Sequence, residues 1–232
     1  MAKEKIELSR KNRNGGKMKT FLLKTALYLI FFLSVSISCK AENKFIENLH
    51  YKRVSMLTTI EKNSTEKIEI IEFFLYSCPH CYELEPKLEK WIEKNKDKVT
   101  FKRVPAVISA SWVALAKAYY IAEKRNILPQ THDALFKSIH DEKKIYFNEY
   151  ALAKFYENYG LSQDDFMLDF NSKEITEKAS EARKLTVKYA FRGVPAVVIN
   201  KEFKTAPFYT KDQEQMLEVL DELLTSIIEA KN

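Results

Sequence analysis

Two kinds of hydrophobic pattern alternate in the middle of this chain. Residues 67–75 form a nearly continuous apolar run, which is typical of a central β-strand with both faces covered. Apolar positions then recur at helical spacing from residue 78 to residue 94 and predict an amphipathic helix. Residues 98–104 return to the pattern of a strand. The apolar stripe of the helix consists of Leu84, Leu88 and Trp91.

A long helical block separates these strands from the end of the chain. Apolar residues keep a helical spacing from about residue 111 to residue 190, and this stretch gives no strand pattern. Residues 196–200 form another apolar run that predicts a strand, and an amphipathic helix follows from about residue 213. The helices predicted within the block are Trp112–Arg125, Thr131–His140, Asn148–Tyr159, Ser162–Phe170 and Lys173–Tyr189.

This order of strands and helices predicts an α/β fold whose sheet is interrupted in sequence by a helical insert. The chain beyond its N-terminal leader, about 190 residues long, is large enough to bury one core of its own. The predicted units are an N-terminal extension at 42–66 with an edge strand at 50–55, an α/β domain at 67–110 and 184–232, and a helical insert at 111–183.

The segment ahead of these units has the features of a secretory signal peptide. Lysines precede an uncharged run of about 14 residues at 25–38, and small residues follow it. That run is shorter than the roughly 20 residues that a membrane span needs. We therefore expect residues 18–41 to be a signal peptide that is cleaved after Ala41, with an uncleaved anchor as the alternative.

The leader leaves two further points open. Residues 1–17 are polar and charged, so we expect Met18 to be the start and the preceding residues to be a dispensable extension. Residues 36–39 resemble a lipobox that lacks its usual leucine. Cys39 is therefore either acylated, which would tether the protein to the membrane, or removed or left idle.

Charge and glycine content exclude several classes of function. Residues 1–38 carry eight of the 38 basic residues and two of the 32 acidic ones, so the remainder is neutral although the whole chain has a net charge of +6. We expect no nucleic-acid partner, because no basic block is interleaved with aromatic residues. Beyond the leader only Gly160 and Gly193 occur, which excludes a glycine-rich nucleotide-binding loop, and we expect no organic cofactor.

The most informative motif is Cys78-Pro79-His80-Cys81, which lies where the central strand gives way to a helix. Two thiols separated by two residues at a helix start can close a small disulfide, and the first sulfur faces the positive end of the helix dipole. We expect Cys78 to be exposed and nucleophilic and Cys81 to be buried. A zinc site needs four ligands and the chain offers one more cysteine, so we expect no metal.

Two histidines of the helical block raise the same question of metal binding. His132 and His140 lie eight residues apart, without acidic residues at ligand spacing beside them. We therefore interpret both as ordinary helix residues.

Two motifs together resemble those of a known family. Ile71-Glu72-Phe73-Phe74, followed by Cys78-Pro79-His80-Cys81-Tyr82, and the later Arg192-Gly193-Val194-Pro195-Ala196 are similar to motifs of the DsbA family of periplasmic thiol:disulfide oxidoreductases. The resemblance implies a thioredoxin fold with an inserted α-helical domain. It also implies a protein that donates its disulfide to unfolded secreted proteins and is reoxidised by a quinone-linked membrane protein of the DsbB type.

Residues beside the dithiol have expected roles. His80, which with Pro79 separates the cysteines, can donate a hydrogen bond or add positive charge near the Cys78 sulfur. Pro195 resembles the family's cis-proline, which implies that it lies beside the disulfide and that the backbone of Val194 pairs with an extended substrate. The alternative for Pro195 is an ordinary proline at a strand start.

A carboxyl group within the apolar strand also requires an explanation. Burial of Glu72 is costly unless the side chain has a partner or a task. In the family the matching acid lies beneath the dithiol, which implies that Glu72 tunes Cys81 and relays its proton, with Glu85 and Lys102 as neighbours. The alternative is a structural ion pair.

Other functions remain open at this point. A disulfide isomerase or reductase of the same superfold would usually carry a separate dimerisation domain, for which residues 42–66 are too few. A chaperone or binding module without redox activity is a second alternative, although the intact Cys78–Cys81 motif argues against it. A relative of the glutathione transferases is a weaker one, because such proteins generally lack the second cysteine.

Overall fold

The computed structural model describes residues 44–54, 67–146 and 148–231. The predicted signal peptide, the extension before it and Cys39 lie outside these residues, as does most of the predicted link at 55–66. Within the described part of the chain, every helix is too short or too polar to cross a membrane.

Strands of the described chain form one five-stranded sheet in the order β1-β5-β4-β2-β3. Strand β2 lies inside the sheet, where it pairs parallel with β3 and antiparallel with β4. All its residues except the half-buried Glu69 are buried, which confirms the central strand predicted from the apolar run. The strands are β1 (Lys52–Arg53), β2 (Ile68–Phe74), β3 (Val99–Pro105), β4 (Ala196–Ile199) and β5 (Phe203–Thr205).

Five α-helices between β3 and β4 form the helical insert of the described chain. Three of them begin at a polar cap, where Asn148, Ser162 and Ser172 each accept a hydrogen bond from a backbone N–H three residues later. The helices are α1 (Pro79–Asn95), α2 (Val113–Lys124), α3 (Leu128–His140), α4 (Glu149–Glu157), α5 (Gln163–Phe170), α6 (Lys173–Lys188) and α7 (Gln213–Lys231). Helix α6 runs continuously across the unit boundary that the sequence predicts at 183/184.

Strand β5 is an element that the sequence pattern did not indicate. It follows β4 through a turn in which Asn200 and Lys201 have φ of 56° and 55°. Glycine or asparagine usually marks such left-handed positions, and a lysine gives no signal for one. Of the predicted edge strand at 50–55, residues 50–54 are described, and Lys52 and Arg53 among them form β1, which pairs with β5.

Two clusters of buried apolar side chains hold these elements together. One joins α7 and the apolar stripe of α1 to the sheet, so the stripe of Leu84, Leu88 and Trp91 is buried as predicted. The other joins the insert to the sheet and contains Cys81. Because α1 starts at the end of β2, its first turn lies where the insert meets the sheet.

Candidate active site

The two cysteines occupy different environments at the start of α1. Cys78 is half-buried and is the N-cap residue, with an extended backbone (φ −91°, ψ 116°) immediately before Pro79. Its carbonyl accepts hydrogen bonds from the N–H groups of Cys81 and Tyr82, at 3.1 and 3.2 Å. Cys81 lies one turn into the helix and is fully buried, and both cysteines are free thiols.

The acidities of the two thiols diverge for physical reasons. A hydrogen bond from the Cys81 thiol lowers the pKa of Cys78 to about 6, assisted by the backbone N–H groups of Cys81 and His80 and by the charge of His80, and opposed by burial. Burial raises the pKa of Cys81 far above its ordinary value, and its hydrogen bond to Cys78 acts in the same direction. One thiolate and one thiol are therefore favoured in the reduced site.

His80 is held mainly through its backbone. Its side chain is exposed, and Nδ1 lies 3.3 Å from Oε2 of Glu83 rather than against a sulfur. Its carbonyl accepts a hydrogen bond of 2.8 Å from Nε2 of Gln213, the first residue of α7. The last helix of the chain is thus attached directly to the first turn of the dithiol helix.

A second segment of the chain reaches the dithiol at the same edge of the sheet, because β4 starts beside the end of β2. The peptide bond between Val194 and Pro195 is cis. Val194 is half-buried, and its carbonyl oxygen lies 3.5 Å from Sγ of Cys78, which can donate a hydrogen bond to it when the thiol is protonated. We call residues 190–195 the cis-proline loop. A groove of about 520 Å³ borders this loop and α1, and its lining residues include His80, Pro195, Phe208 and Gln213.

Charged side chains of β2, β3 and α1 form a largely buried group, and the charge of one of them, Glu72, acts on the thiol of Cys81. Glu72 is completely buried, and its Oε2 lies 3.3 Å from Nε of Arg103, the residue opposite it in the register of β2 and β3. Nη2 of Arg103 lies 2.6 Å from Glu85 and 3.1 Å from Glu89. Glu72, Glu85 and Arg103 are named the charged cluster.

The two buried carboxyls of this cluster differ in acidity. Burial, and then the charge of Glu85, hold the pKa of Glu72 well above its ordinary value, although Arg103 opposes them. Burial alone would also raise the pKa of Glu85. The hydrogen bond to His132 and the charge of Arg103 outweigh burial, so the pKa of Glu85 is lowered. Glu72 therefore favours the protonated form and Glu85 the ionised form.

A histidine of the insert completes this arrangement. Nε2 of His132 lies 3.1 Å from Oε1 of Glu85, and Nδ1 lies 2.9 Å from the hydroxyl of Tyr76, which belongs to the loop before Cys78. Since an ionised Glu85 can only accept, we place the ring proton on Nε2, which donates to Glu85. Nδ1 then accepts a hydrogen bond from the hydroxyl of Tyr76. His140 also contacts this loop, through Nε2 at 2.8 Å from the carbonyl of Tyr76.

Comparisons with known proteins agree with this geometry. Residues 103–221 match the family model of the DSBA-like thioredoxin domain. The thiol:disulfide interchange protein DsbA of Burkholderia cepacia is 35% identical over 165 residues, covering 71% of this chain and 78% of that protein. The chain belongs to the DsbA family. Its relative from Azotobacter vinelandii is 30% identical over 171 residues, which cover 74% of this chain and 80% of the relative. The crystal structure of Pseudomonas aeruginosa DsbA has a TM-score of 0.72 and 28% identity, and covers 80% of this chain and 96% of that one.

Membership of the DsbA family establishes the class of activity. The curated relatives are thiol:disulfide interchange proteins, so this chain is a thiol:disulfide oxidoreductase that forms disulfides and acts on other proteins. The predicted thioredoxin-like fold is confirmed.

One predicted neighbour of the buried acid is wrong. The sequence predicts Lys102 as the cation beside Glu72. In the structure Arg103 is opposite Glu72, and Lys102 pairs with Ile71 and is exposed. Because side chains alternate between the faces of a strand, a shift of one residue in register moves the cation to the other face. Glu85 does lie in the charged cluster, as expected.

His132 is a site residue that sequence reasoning missed. Its own helix offers no acidic partner at ligand spacing, and the prediction of an ordinary helix residue rests on that fact. The partner is Glu85 of α1, 47 residues earlier in the chain. Only the packing of α3 against α1 reveals the pair, so no local signal in the sequence could have found it.

The same residues form the one group of metal-ligand types in the described part of the chain. Glu85, His132 and Asp133 bring candidate ligand atoms within 4.8 Å of one another. However, both nitrogens of His132 already have hydrogen-bond partners, and Arg103 holds the second oxygen of Glu85. The group is therefore better described as a hydrogen-bond network.

Proposed function

We propose that this protein donates the Cys78–Cys81 disulfide to newly secreted, unfolded proteins in the periplasm. The observation that carries the proposal is the unequal pair of thiols, a half-buried Cys78 whose pKa is lowered to about 6 and a buried Cys81 whose pKa is raised. A thiolate that is stable when released is a good leaving group, so the reduced form is favoured and the disulfide is readily transferred.

The transfer takes place in two exchange steps. A substrate thiolate attacks Sγ of Cys78 in the oxidised protein, the Cys78–Cys81 bond breaks, and Cys81 leaves with the electron pair and takes up a proton. A second substrate thiolate then attacks the substrate sulfur of the mixed disulfide. The substrate is thereby oxidised, and Cys78 is released as its thiolate.

Residues around the dithiol support both steps. The raised pKa of Glu72 makes it a proton donor for the leaving Cys81, with the carboxyl of Glu85 as the next member of the relay and Arg103 as the cation that holds both carboxyls. An extended substrate would pair with the backbone of Val194 beside Pro195 and lie in the adjoining groove. Pro79 starts the helix, and the charge of His80 favours the Cys78 thiolate.

Reoxidation and location complete the proposal. A quinone-linked membrane protein of the DsbB type would take two electrons from reduced Cys78 and Cys81.

Residues 18–41 would direct the chain to the periplasm, with cleavage after Ala41 or acylation of Cys39 as the two fates of the leader. The intact mass of the secreted protein distinguishes these fates, because an acyl chain adds mass at the new N-terminus.

The equilibrium of the dithiol with glutathione tests the proposal. We expect thiol alkylation to find the pair reduced even in a predominantly oxidised buffer. Mixed with a reduced, unfolded protein and with glutathione disulfide as the oxidant, the Cys81→Ser variant should accumulate a covalent complex through Cys78, and the Cys78→Ser variant should not. A pair that remains oxidised until the buffer is strongly reducing would point instead to a reductase-like or structural disulfide.

A further inference from the structure

A lysine remote from the dithiol is bonded to the start of the cis-proline loop. Nζ of Lys204, on β5, donates hydrogen bonds to the carbonyls of Tyr189 at 2.5 Å and Ala190 at 3.2 Å. It also lies 5.4 Å from the centre of the Phe191 ring. Three successive residues at the entry to the loop are therefore in contact with one ammonium group.

The contacted residues form a turn that needs support. Helix α6 ends at Lys188, and Ala190 follows in the left-handed region with φ of 48°. An L-residue with a Cβ is disfavoured there, where glycine is the usual choice. The carbonyls at the end of a helix also carry partial negative charge, which a cation stabilises. Lys204 thus fixes the backbone at the point where it leaves the helix.

This turn also fixes the position of Val194. Phe191 packs on Phe73 of β2 with ring centres 4.8 Å apart, and four residues after Ala190 the Val194 carbonyl reaches Sγ of Cys78. The anchored ends of this short segment are the Lys204 contacts on one side and the start of β4 on the other. A shift of the first anchor would therefore move the backbone that faces the dithiol.

The placement of Lys204 is not that of an ordinary surface cation. Its side chain is half-buried, and burial, with Lys52 adding to it, lowers its pKa. Both of its hydrogen-bond acceptors are main-chain carbonyls, so its charge acts on the backbone of the turn.

We propose that Lys204 is a positioning residue for substrate binding, which holds the cis-proline loop so that the backbone of Val194 can pair with an extended polypeptide beside Cys78. This inference rests on the proposed function, because it assumes that substrates dock on that loop. Lys204 touches neither the thiols nor the substrate, so it acts on binding rather than on exchange between sulfur atoms.

Saturation kinetics with a peptide dithiol test the inference. The purified protein oxidises a flexible two-cysteine peptide at a series of concentrations, with glutathione disulfide as the final oxidant. We expect Lys204→Met to raise KM about tenfold, the effect of losing a hydrogen bond of a charged group, and to leave kcat nearly unchanged. The pH midpoint for alkylation of Cys78 should not move. Lys204→Arg, which keeps the cation, should restore KM to within about twofold of the original value.

Two further variants make the result decisive. Lys188→Met removes an exposed positive charge from the last turn of α6, the helix that leads into the same turn. Its KM and kcat should equal those of the original protein. If Lys204→Met does not fold, Lys204→Gln keeps a hydrogen-bond donor without the charge and should give an intermediate KM. An unchanged KM in whichever of these two Lys204 variants folds, or an equal rise in Lys188→Met, would overturn the inference. An original protein that fails to oxidise the peptide would overturn the proposed function and this inference with it.

Discussion

In its first two turns α1 buries the thiol of Cys81 and the carboxyl of Glu85, which pairs with charged side chains, whereas further along it buries Leu88 and Trp91 in the apolar cluster that includes α7. The apolar end stabilises the fold, since each fully buried side chain of this size contributes about 1.5–3 kcal/mol. The charged end opposes it, because both oxygens of Glu72 are buried without a hydrogen bond of good geometry although Arg103 lies close by. One helix therefore divides the two tasks, with its C-terminal half serving stability and its N-terminal half serving reactivity.

The largest expected loss of stability comes from removing Arg103, the cation that pairs with the charged end of α1. Arg103→Met leaves the ionised Glu85 and the buried Glu72 without their counter-charge. Breaking a buried ion pair from one side should lower the free energy of unfolding by about 3–5 kcal/mol in urea titrations. Adding Glu85→Gln should recover part of this loss, because a neutral amide does not need the cation. A loss below about 1 kcal/mol would mean that water reaches the charged cluster.

The matched change at the apolar end is Leu88→Ala. Leu88 is completely buried, and its truncation should cost about 3 kcal/mol of unfolding free energy. The alkylation midpoint of Cys78 should stay where it is, since Leu88 contributes nothing to the charges around the thiol. A midpoint that moves with the loss of stability would show that the two halves of α1 are coupled.

The pH dependence of Cys78 alkylation tests the reactive end of α1. Its alkylation rate by iodoacetamide should rise with a midpoint near pH 6, the value to which its pKa is lowered from 9.0. Since the folded pKa is the lower one, the thiolate stabilises the reduced fold above pH 9, and this contribution is lost as the pH falls from 9 to 6. Solvent screening makes this contribution to stability smaller, because Cys78 is only half-buried. A midpoint near pH 9 would remove the basis for the proposed oxidant.

The smallest effect on stability is expected at Gly193, in the cis-proline loop. A Cβ at this position would meet no atom within 4 Å, so the fold itself does not require glycine there. Gly193→Ala should change the unfolding free energy by less than about 1 kcal/mol. It should still slow oxidation of a peptide, because the added methyl group would stand in the path of a closely approaching substrate backbone. Unchanged kinetics would show that substrates do not pass over Gly193.

Much of this architecture can be predicted from the sequence because it depends on local pattern. The apolar run of β2, the stripe of α1 and the helices of the insert each show their period within a few residues. The cysteine motif and the Val194-Pro195 motif are also local, and the structure places them together at one edge of the sheet, where β2 ends and β4 begins. These features require no knowledge of how distant segments pack.

What could not be predicted depends on register and on long-range packing. Arg103 and Lys102 are neighbours in sequence, and only the pairing of β3 with β2 determines which of them meets Glu72. His132 acquires its role from Glu85 of another helix, and Lys204 acquires its contacts from a strand that the pattern did not indicate. No periodicity carries information of this kind.

The hydrogen bond from Gln213 to the carbonyl of His80 also has a consequence for the order in which the site is completed. The cysteines precede the cis-proline loop and this glutamine, and Val194 of the loop lies 113 residues after Cys81. A ribosome makes the chain from its N-terminus, so Cys78 emerges as an ordinary thiol long before the groups that confine it exist. The assembled site thus cannot form before Gln213 has been synthesised.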